Sequence, residues 1–223
     1  MRNRPFDWIE DKRDQKMSTD CCDTTKTAEG GEKWKEWIEE RERAFQQMNE
    51  ARKRYTEVLN SRPAEKVEDY ELKLLDGTVR LSELFGDHDE LLVVHNMGAS
   101  CPYCTLWADG FNGFVEHLRD RTAFVVASPD TPESQRRFAK KRGWEFSMVS
   151  TKDSDFSVDM GFEDRDEGVV RPGVSAFQRT PSGEIERIAA DRFGPGDLYC
   201  SLWHLIDLLD GDAYDWGPKL KYG

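Results

Sequence analysis

Hydrophobic positions along the chain keep a helical period first and a strand-and-helix alternation afterwards. Between 32 and 60, Trp34, Trp37, Ile38, Phe45, Met48, Tyr55 and Leu59 recur at three- and four-residue steps among Glu, Lys and Arg, which predicts an amphipathic helix. Pro63 ends it. An aromatic stripe of this kind is a docking face, either for the protein's own core or for a second subunit, so a homodimer through this helix is one expectation. Residues 1–31 are polar and without a period, Gly30-Gly31 closes them, and they read as a disordered tail. Further on, two strand patterns at about 68–75 and 78–81 flank Asp76-Gly77, a hairpin signal, and a helical turn follows at 81–86.

The apolar run 91–94 predicts a strand. Residues 101–118, with Trp107, Phe111, Phe114 and Val115, predict one helix, loosened by Gly110 and Gly113 at about 1 kcal/mol each relative to Ala. The β-branched run 122–127 reads as a buried parallel strand. Thr131 caps and Pro132 opens a helix to about Arg142, and 146–150 is a further strand. An acidic, irregular excursion at 151–171 precedes a hairpin, 174–178 and 184–189, turned at Pro181-Ser182-Gly183. Asp197 is expected to cap a last helix ending at Gly211, its stripe Leu198, Leu202, Leu205, Ile206 and Leu209 facing a core. Strand, helix, strand, helix, hairpin, helix is an α/β order. The expected organisation is therefore a tail at 1–31, a helix at 32–62 and one α/β domain at 63–223.

Composition narrows the partners. The net charge of -12 argues against nucleic acid and anionic membranes, which both ask for a basic surface. The 34% of charged residues fits either a high-salt cytoplasm or an ordinary acidic protein. No apolar stretch reaches the ~18 residues of a membrane span, and Met-Arg-Asn-Arg leads into no apolar region, so no signal peptide is expected. Met17 is an alternative start. Five cysteines make an odd number for a secreted disulfide framework, so the cytosol is the expected compartment.

Candidate chemistry gathers at Cys101-Pro102-Tyr103-Cys104, which follows a strand and opens a helix. At a helix N-terminus, unpaired backbone N–H groups and the helix dipole stabilise a thiolate, and a second cysteine one turn on is within reach of a disulfide. Pro102 fits the first turn, where its missing N–H costs nothing. Cys101 is the expected nucleophile and Cys104 the resolving thiol; no cofactor and no resident metal are expected, and the partners are protein or small-molecule disulfides and thiols. Two other readings stay open. Cys101, Cys104, Cys200 and His204 would make a Cys₃His zinc set if folding joined them, and the domain would otherwise be a redox-inactive binding module. Cys21-Cys22 reads as an incidental pair in the tail, and His88 and His117 as surface residues.

Several stretches together carry a resemblance: Cys101 to Phe111, Gly-Trp-Glu-Phe-Ser-Met-Val-Ser at 143–150, Ser-Asp-Phe at 154–156, Pro-Gly-Val-Ser-Ala-Phe at 172–177, and His95-Asn96-Met97 at a strand end. Over about 32–223 the chain resembles the thioredoxin-like family catalogued as domain of unknown function eight-nine-nine, kin to the AhpC/TSA peroxiredoxins. The resemblance implies a thioredoxin-like α/β fold of the peroxiredoxin/TlpA type, a central sheet flanked by helices with an N-terminal helical extension. It also implies roles. His95 stands six residues before Cys101, where thioredoxins keep a buried acid, so it is either a proton acceptor for Cys104 or a core histidine. Pro172 is the candidate cis-proline facing the cysteines in a substrate-binding segment. Arg171 before it is either a partner for the Cys101 thiolate or a solvated charge. Pro-Tyr between the cysteines is the pair seen in glutaredoxins, implying a potential nearer the glutaredoxin range of about -200 to -230 mV than thioredoxin's about -270 mV. The departures count as well. Val94 and Gly98 stand where the peroxiredoxin signature has Pro and Thr/Ser, so peroxidase activity is not expected, and Ser100 replaces the Trp that precedes the first cysteine of thioredoxins. Trp107 reads as core packing, and Asp109 as a buried partner for a backbone or Arg group.

Overall fold

The computed structural model describes residues 28–209 and 215–223. The tail before Ala28, with Cys21, Cys22 and the Met17 start, lies outside the described residues, as does Gly211. The chain divides into two compact units, Met1–Arg54 and Tyr55–Gly223. Helix α1 is unbroken from Ala28 to Asn60. It passes through Gly30 and Gly31, which the hydropathy pattern alone puts outside it. Within the first unit Trp34 and Trp37, three residues apart and so neighbours on a helix surface, stack with ring centroids 4.8 Å apart.

The second unit is built on an eight-stranded sheet. Its strands are β1 (Glu65–Val67), β2 (Glu71–Leu74), β3 (Gly77–Arg80), β4 (Glu90–His95), β5 (Ala123–Ser128), β6 (Ser147–Ser150), β9 (Gly173–Arg179) and β10 (Ile185–Arg192). A separate ribbon pairs β7 (Glu163–Asp164) with β8 (Val169–Val170). In space the large sheet runs β1-β10-β9-β4-β5-β6-β2-β3. Parallel β4, β5 and β6 form the middle, and antiparallel β9 lies against β4. The helices are α2 (Pro102–Asn112), α3 (Val115–Arg121), α4 (Pro132–Arg142), α5 (Phe156–Asp159) and α6 (Ser201–Ile206), with a 3₁₀ turn at Leu81–Phe85.

Side-chain alternation along β4 sorts two cores onto the two faces. Leu91 and Val93 join Leu81, Phe85, Phe156 and Phe177 on one face. Val94 joins Trp107, Phe111, Val126, Phe193 and Trp203 on the other. Each fully buried side chain of this size contributes about 1.5–3 kcal/mol, so the pleat of β4 is held in register from both sides.

The elements differ from the sequence expectation in four places. The helix after Cys101 breaks at Gly113, where Gly113 and Phe114 donate to the carbonyls of Gly110 and Phe111 in tight three-residue turns, and a second helix starts at Val115. Strand β1, which no alternation marks, exists because Val67 buries against Ile185 in its pairing with β10. The excursion 151–171 holds α5 and the β7–β8 ribbon, and Phe156, Met160 and Phe162 fill the first core. The last helix begins at Ser201 with Cys200 as its N-cap, while the Asp197 carboxylate accepts from the backbone N–H groups of Tyr199 and Cys200 in the turn before it. Leu198, Leu205 and Leu209 are exposed, because the slot toward the core is taken by Trp203.

Gly173 shows how tightly β9 and β10 close on the excursion. A Cβ there would sit 2.3 Å from the Asp191 carbonyl oxygen and 2.3 Å from Phe162 Cε1. Gly173→Ala is therefore expected to lower unfolding stability in urea by about 1–3 kcal/mol. Gly194→Ala, with nothing within 4 Å of its Cβ, should stay within about 0.5 kcal/mol of wild type. Equal midpoints for the two variants would refute the close approach.

Candidate functional site

The parallel middle of the sheet ends at His95, and residues 96–100 carry the chain from β4 to Cys101. This loop is tied down on both sides. The Asn96 backbone donates to the Ala127 carbonyl at 2.8 Å, and the Asn96 side-chain oxygen accepts from the Gly98 N–H at 2.7 Å. The Asp130 carboxylate accepts from the Ala99 N–H at 2.7 Å. Gly98 has φ 105, and a Cβ on it would lie 3.0 Å from that carboxylate, so the turn asks for glycine twice over. The loop thus delivers Cys101 as the N-cap of α2, with Pro102 in the first turn.

At the cap, the Cys101 sulfur accepts from the Cys104 backbone N–H at 3.2 Å. The Cys104 sulfur accepts in turn from the Met97 N–H at 3.4 Å. Both thiols are free, Cys101 partly exposed and Cys104 buried. The Cys101 thiol is lowered to about 6: the Cys104 thiol hydrogen-bonds to it, and the backbone N–H groups of Cys104 and Tyr103 add to this against a burial penalty that raises it. Cys104 is pushed strongly up by the same hydrogen bond and by burial. One thiolate and one thiol at neutral pH is the division of labour that a nucleophile and a resolving cysteine need.

The surroundings are aromatic. Trp107 is buried against Phe193, and Tyr103 lies 6.3 Å from Trp107 and 6.2 Å from Trp203, centroid to centroid. The segment 215–223 packs here as well: Trp216 meets Trp203 edge-on, and Gly217 lies close enough that a Cβ would be 3.2 Å from the Tyr103 hydroxyl. Asp109, about two turns along α2, accepts from Arg142 and from the Trp144 indole at 2.8 Å, fastening α2 to the end of α4.

His95 does not stand beside Cys104. Alternation puts the two on opposite faces of the sheet, Cys104 in the cluster with Val94 and His95 against Phe162, with ring centroids 3.8 Å apart. Its Nε2 meets the Ser175 hydroxyl at 3.0 Å and its Nδ1 is buried without a partner. Burial foremost, then the Arg187 charge, lower it to about 3. Of its two sequence readings, the core histidine fits this geometry and the proton acceptor does not: six residues of separation carry no information once the loop takes its own path.

Pro172 is joined through a trans bond, since no cis peptide occurs among the described residues; the cis expectation is corrected. Its carbonyl accepts from the Phe193 N–H at 3.0 Å while the Arg171 N–H donates to Phe162, so ladder-like bonds on both sides take the place of a cis turn. Gly173 pairs with His95 across β9 and β4, which sets Pro172 one residue beyond, at the sheet end where the loop to Cys101 leaves. The Arg171 guanidinium is 3.5 Å from Glu167, and what lowers Cys101 comes from Cys104 and Tyr103. Cys200 is buried in the same cluster as Cys104, but His204 is exposed and 3.9 Å from Asp207. Among the described residues no three His, Cys, Asp or Glu side chains converge on a metal position, so the Cys₃His zinc set is not assembled.

The sequence gives no sign of the loop-holding roles of Asn96 and Asp130 or of the Trp203–Trp216–Gly217 flank. Asp130 stands in Ser-Pro-Asp-Thr-Pro, which signals only the start of α4; its bond to Ala99 spans thirty-one positions and leaves no local trace.

A model of a bacterial protein family of unknown function, DUF899, matches residues 27–210. No curated protein sequence matches the chain. Among solved structures, a yeast mitochondrial 1-Cys peroxiredoxin is 15% identical with a TM-score of 0.50, covering 66% of this chain and 75% of its own. Peroxidoxin BcpB from Mycobacterium tuberculosis is 21% identical at a TM-score of 0.48, with 58% and 84% covered. A bacterioferritin comigratory protein of Xanthomonas campestris is 18% identical at 0.48, with 65% and 98% covered. These are likenesses of fold: an α/β, thioredoxin-like fold of the peroxiredoxin type with an added N-terminal helix. Among the described residues no helix is long and apolar enough to cross a membrane.

His95 yields a direct test. A histidine held neutral when folded leaves stability unaffected above its unfolded pKa of ~6.5 and costs stability as pH falls from there toward about 3, because only the unfolded chain takes up the proton. The expected result in imidazole NMR is no titration of His95 between pH 5 and 8. A midpoint near the unperturbed ~6.5 would overturn its buried placement.

Proposed function

The chain belongs to the bacterial DUF899 family, which has no established activity to lend it, and we propose that it is a thiol–disulfide oxidoreductase whose Cys101–Cys104 dithiol reduces disulfides. The observation that carries this reading is the Cys101 sulfur at the N-cap of α2, accepting the Cys104 N–H and lowered to about 6. The Cys101 thiolate attacks one sulfur of a substrate disulfide, forms a mixed disulfide and expels the other sulfur as a thiolate, which takes a proton from water. Cys104, as it loses its proton, attacks Cys101, closes the Cys101–Cys104 disulfide and releases the second substrate thiol. Two electrons pass from protein to substrate, and an external thiol or dithiol returns them. No cofactor takes part, and a reducing compartment such as the cytosol suits a site that must be recycled.

Disulfides are the assigned substrates rather than peroxides, because Val94 and Gly98 occupy the positions of the peroxiredoxin signature. Pro172 and Arg171 lie at the sheet end beside the loop, and with the Pro172 carbonyl held by Phe193 and the Arg171 N–H by Phe162, substrate contact there falls to their side chains. His95 is left out of the proton transfer.

Titration in glutathione and dithiothreitol buffers, with peptide mass reporting each cysteine, is expected to give a reversible Cys101–Cys104 disulfide between about -180 and -300 mV. Cys101→Ser should abolish reduction of insulin and hydroxyethyl disulfide, and Cys104→Ser should trap the mixed disulfide on Cys101. Cysteines that never pair under any buffer would end this reading.

A further inference from the structure

The segment 215–223 lies on the Tyr103 side of the α2 N-terminus and is held there by little. Trp216 meets Trp203 edge-on, with ring centroids 6.0 Å apart. Gly217 comes so close to the Tyr103 hydroxyl that a Cβ would lie 3.2 Å from it. Pro218 is buried, and every residue from Lys219 to Gly223 is exposed. Among the described residues, no hydrogen bond or ion pair ties the segment to the rest of the chain. The bond it does make is internal, from the Lys219 N–H to the Tyr222 hydroxyl at 3.1 Å. A segment with few buried apolar contacts and no bonds to the body opens locally at low free energy. The ring it rests on adds to this: Trp203 is 1% exposed with its indole N–H unpaired, and a buried donor without an acceptor disfavours the arrangement that buries it.

Two observations set what the segment can do. Cys101 is partly exposed, so a small molecule reaches its sulfur with the segment in place. Tyr103 is one of the two residues between the cysteines and stands in the first turn of α2. A polypeptide joined to Cys101 as a mixed disulfide therefore shares that helix end with whatever rests on Tyr103. Leu220 and Tyr222, 38% and 57% exposed, enlarge the obstacle.

We propose that Trp216 and Gly217 determine which disulfides the site takes. Small disulfides reach Cys101 with 215–223 in place, and a polypeptide disulfide reaches it only once Trp216 has left Trp203. The choice of substrates rests on the oxidoreductase reading; the shielding of Cys101 does not, and a separate probe reads it. While the segment is closed, the rate with a large partner is scaled down by the fraction of molecules that are open.

Single-turnover rates of the reduced full chain and of a chain ending at Asp215, both carrying Cys21→Ser and Cys22→Ser, test the proposal. One pair of probes is alkylation of Cys101 by iodoacetamide and by maleimide-activated albumin. The other is reduction of hydroxyethyl disulfide and of insulin. Removing 216–223 is expected to raise the albumin and insulin rates about tenfold or more and to leave both small-molecule rates within about twofold. Trp216→Ala should do the same, and Trp216→Phe, which keeps a ring against Trp203, should stay near wild type. A large-to-small ratio that does not change overturns the proposal, whether all rates stay put or all rise together, since the latter is a loosening of the whole α2 cap. If neither disulfide is reduced while the albumin-to-iodoacetamide ratio rises as expected, the shielding stands and the oxidoreductase reading falls.

Discussion

The structure depends on delivering one sulfur to the unpaired N–H groups at the start of one helix. A helix cannot satisfy its first four N–H groups from within. Here the Cys101 sulfur takes one of them, from Cys104. The cap works only if the chain arrives in an extended conformation at the correct place, and Cys101 has φ -91 and ψ 112. Parallel β4 and β5 supply the place. The ties from Asn96 and Asp130 supply the approach, and the Asp109–Arg142–Trp144 contact anchors the helix about two turns beyond.

The two-faced sheet decides which residues share in that chemistry. Leu91, Val93 and His95 face one core, and Val94 faces the other with Cys104. A residue one place away in sequence is then a whole sheet thickness away in space. The same rule brings distant residues in: Trp203 and Trp216 reach Tyr103 from the far end of the chain.

How much of this the sequence showed depended on range. The strand–Cys-x-x-Cys–helix unit, the Asp76-Gly77 hairpin and the Thr131 cap are written in neighbouring residues, and all three stand in the structure. What failed was non-local. Strand β1 has no pattern of its own and exists through its pairing with Ile185 and Arg187 of β10. The break at Gly113 needed the competition between helix propagation and the packing of Phe111 and Phe114, whose rings meet edge-on at 5.9 Å. Six residues of separation do not place His95, because the loop between it and Cys101 takes a course that a residue count cannot give. Of the candidate site, the two cysteines are legible because their spacing at a strand-to-helix turn is local. Asp130 and Asn96 were not, because holding a loop leaves no signature in composition or period.

The central claim is that Cys101 is a thiolate at neutral pH because of where it sits. The pH dependence of Cys101 alkylation by iodoacetamide, followed by peptide mass, measures this directly. The account predicts a single midpoint about 6, with a rate level above pH 7 and falling about tenfold per unit below the midpoint, and Cys104 unlabelled throughout. A midpoint near the ordinary cysteine value of ~8.5, or alkylation of Cys104 ahead of Cys101, would contradict it.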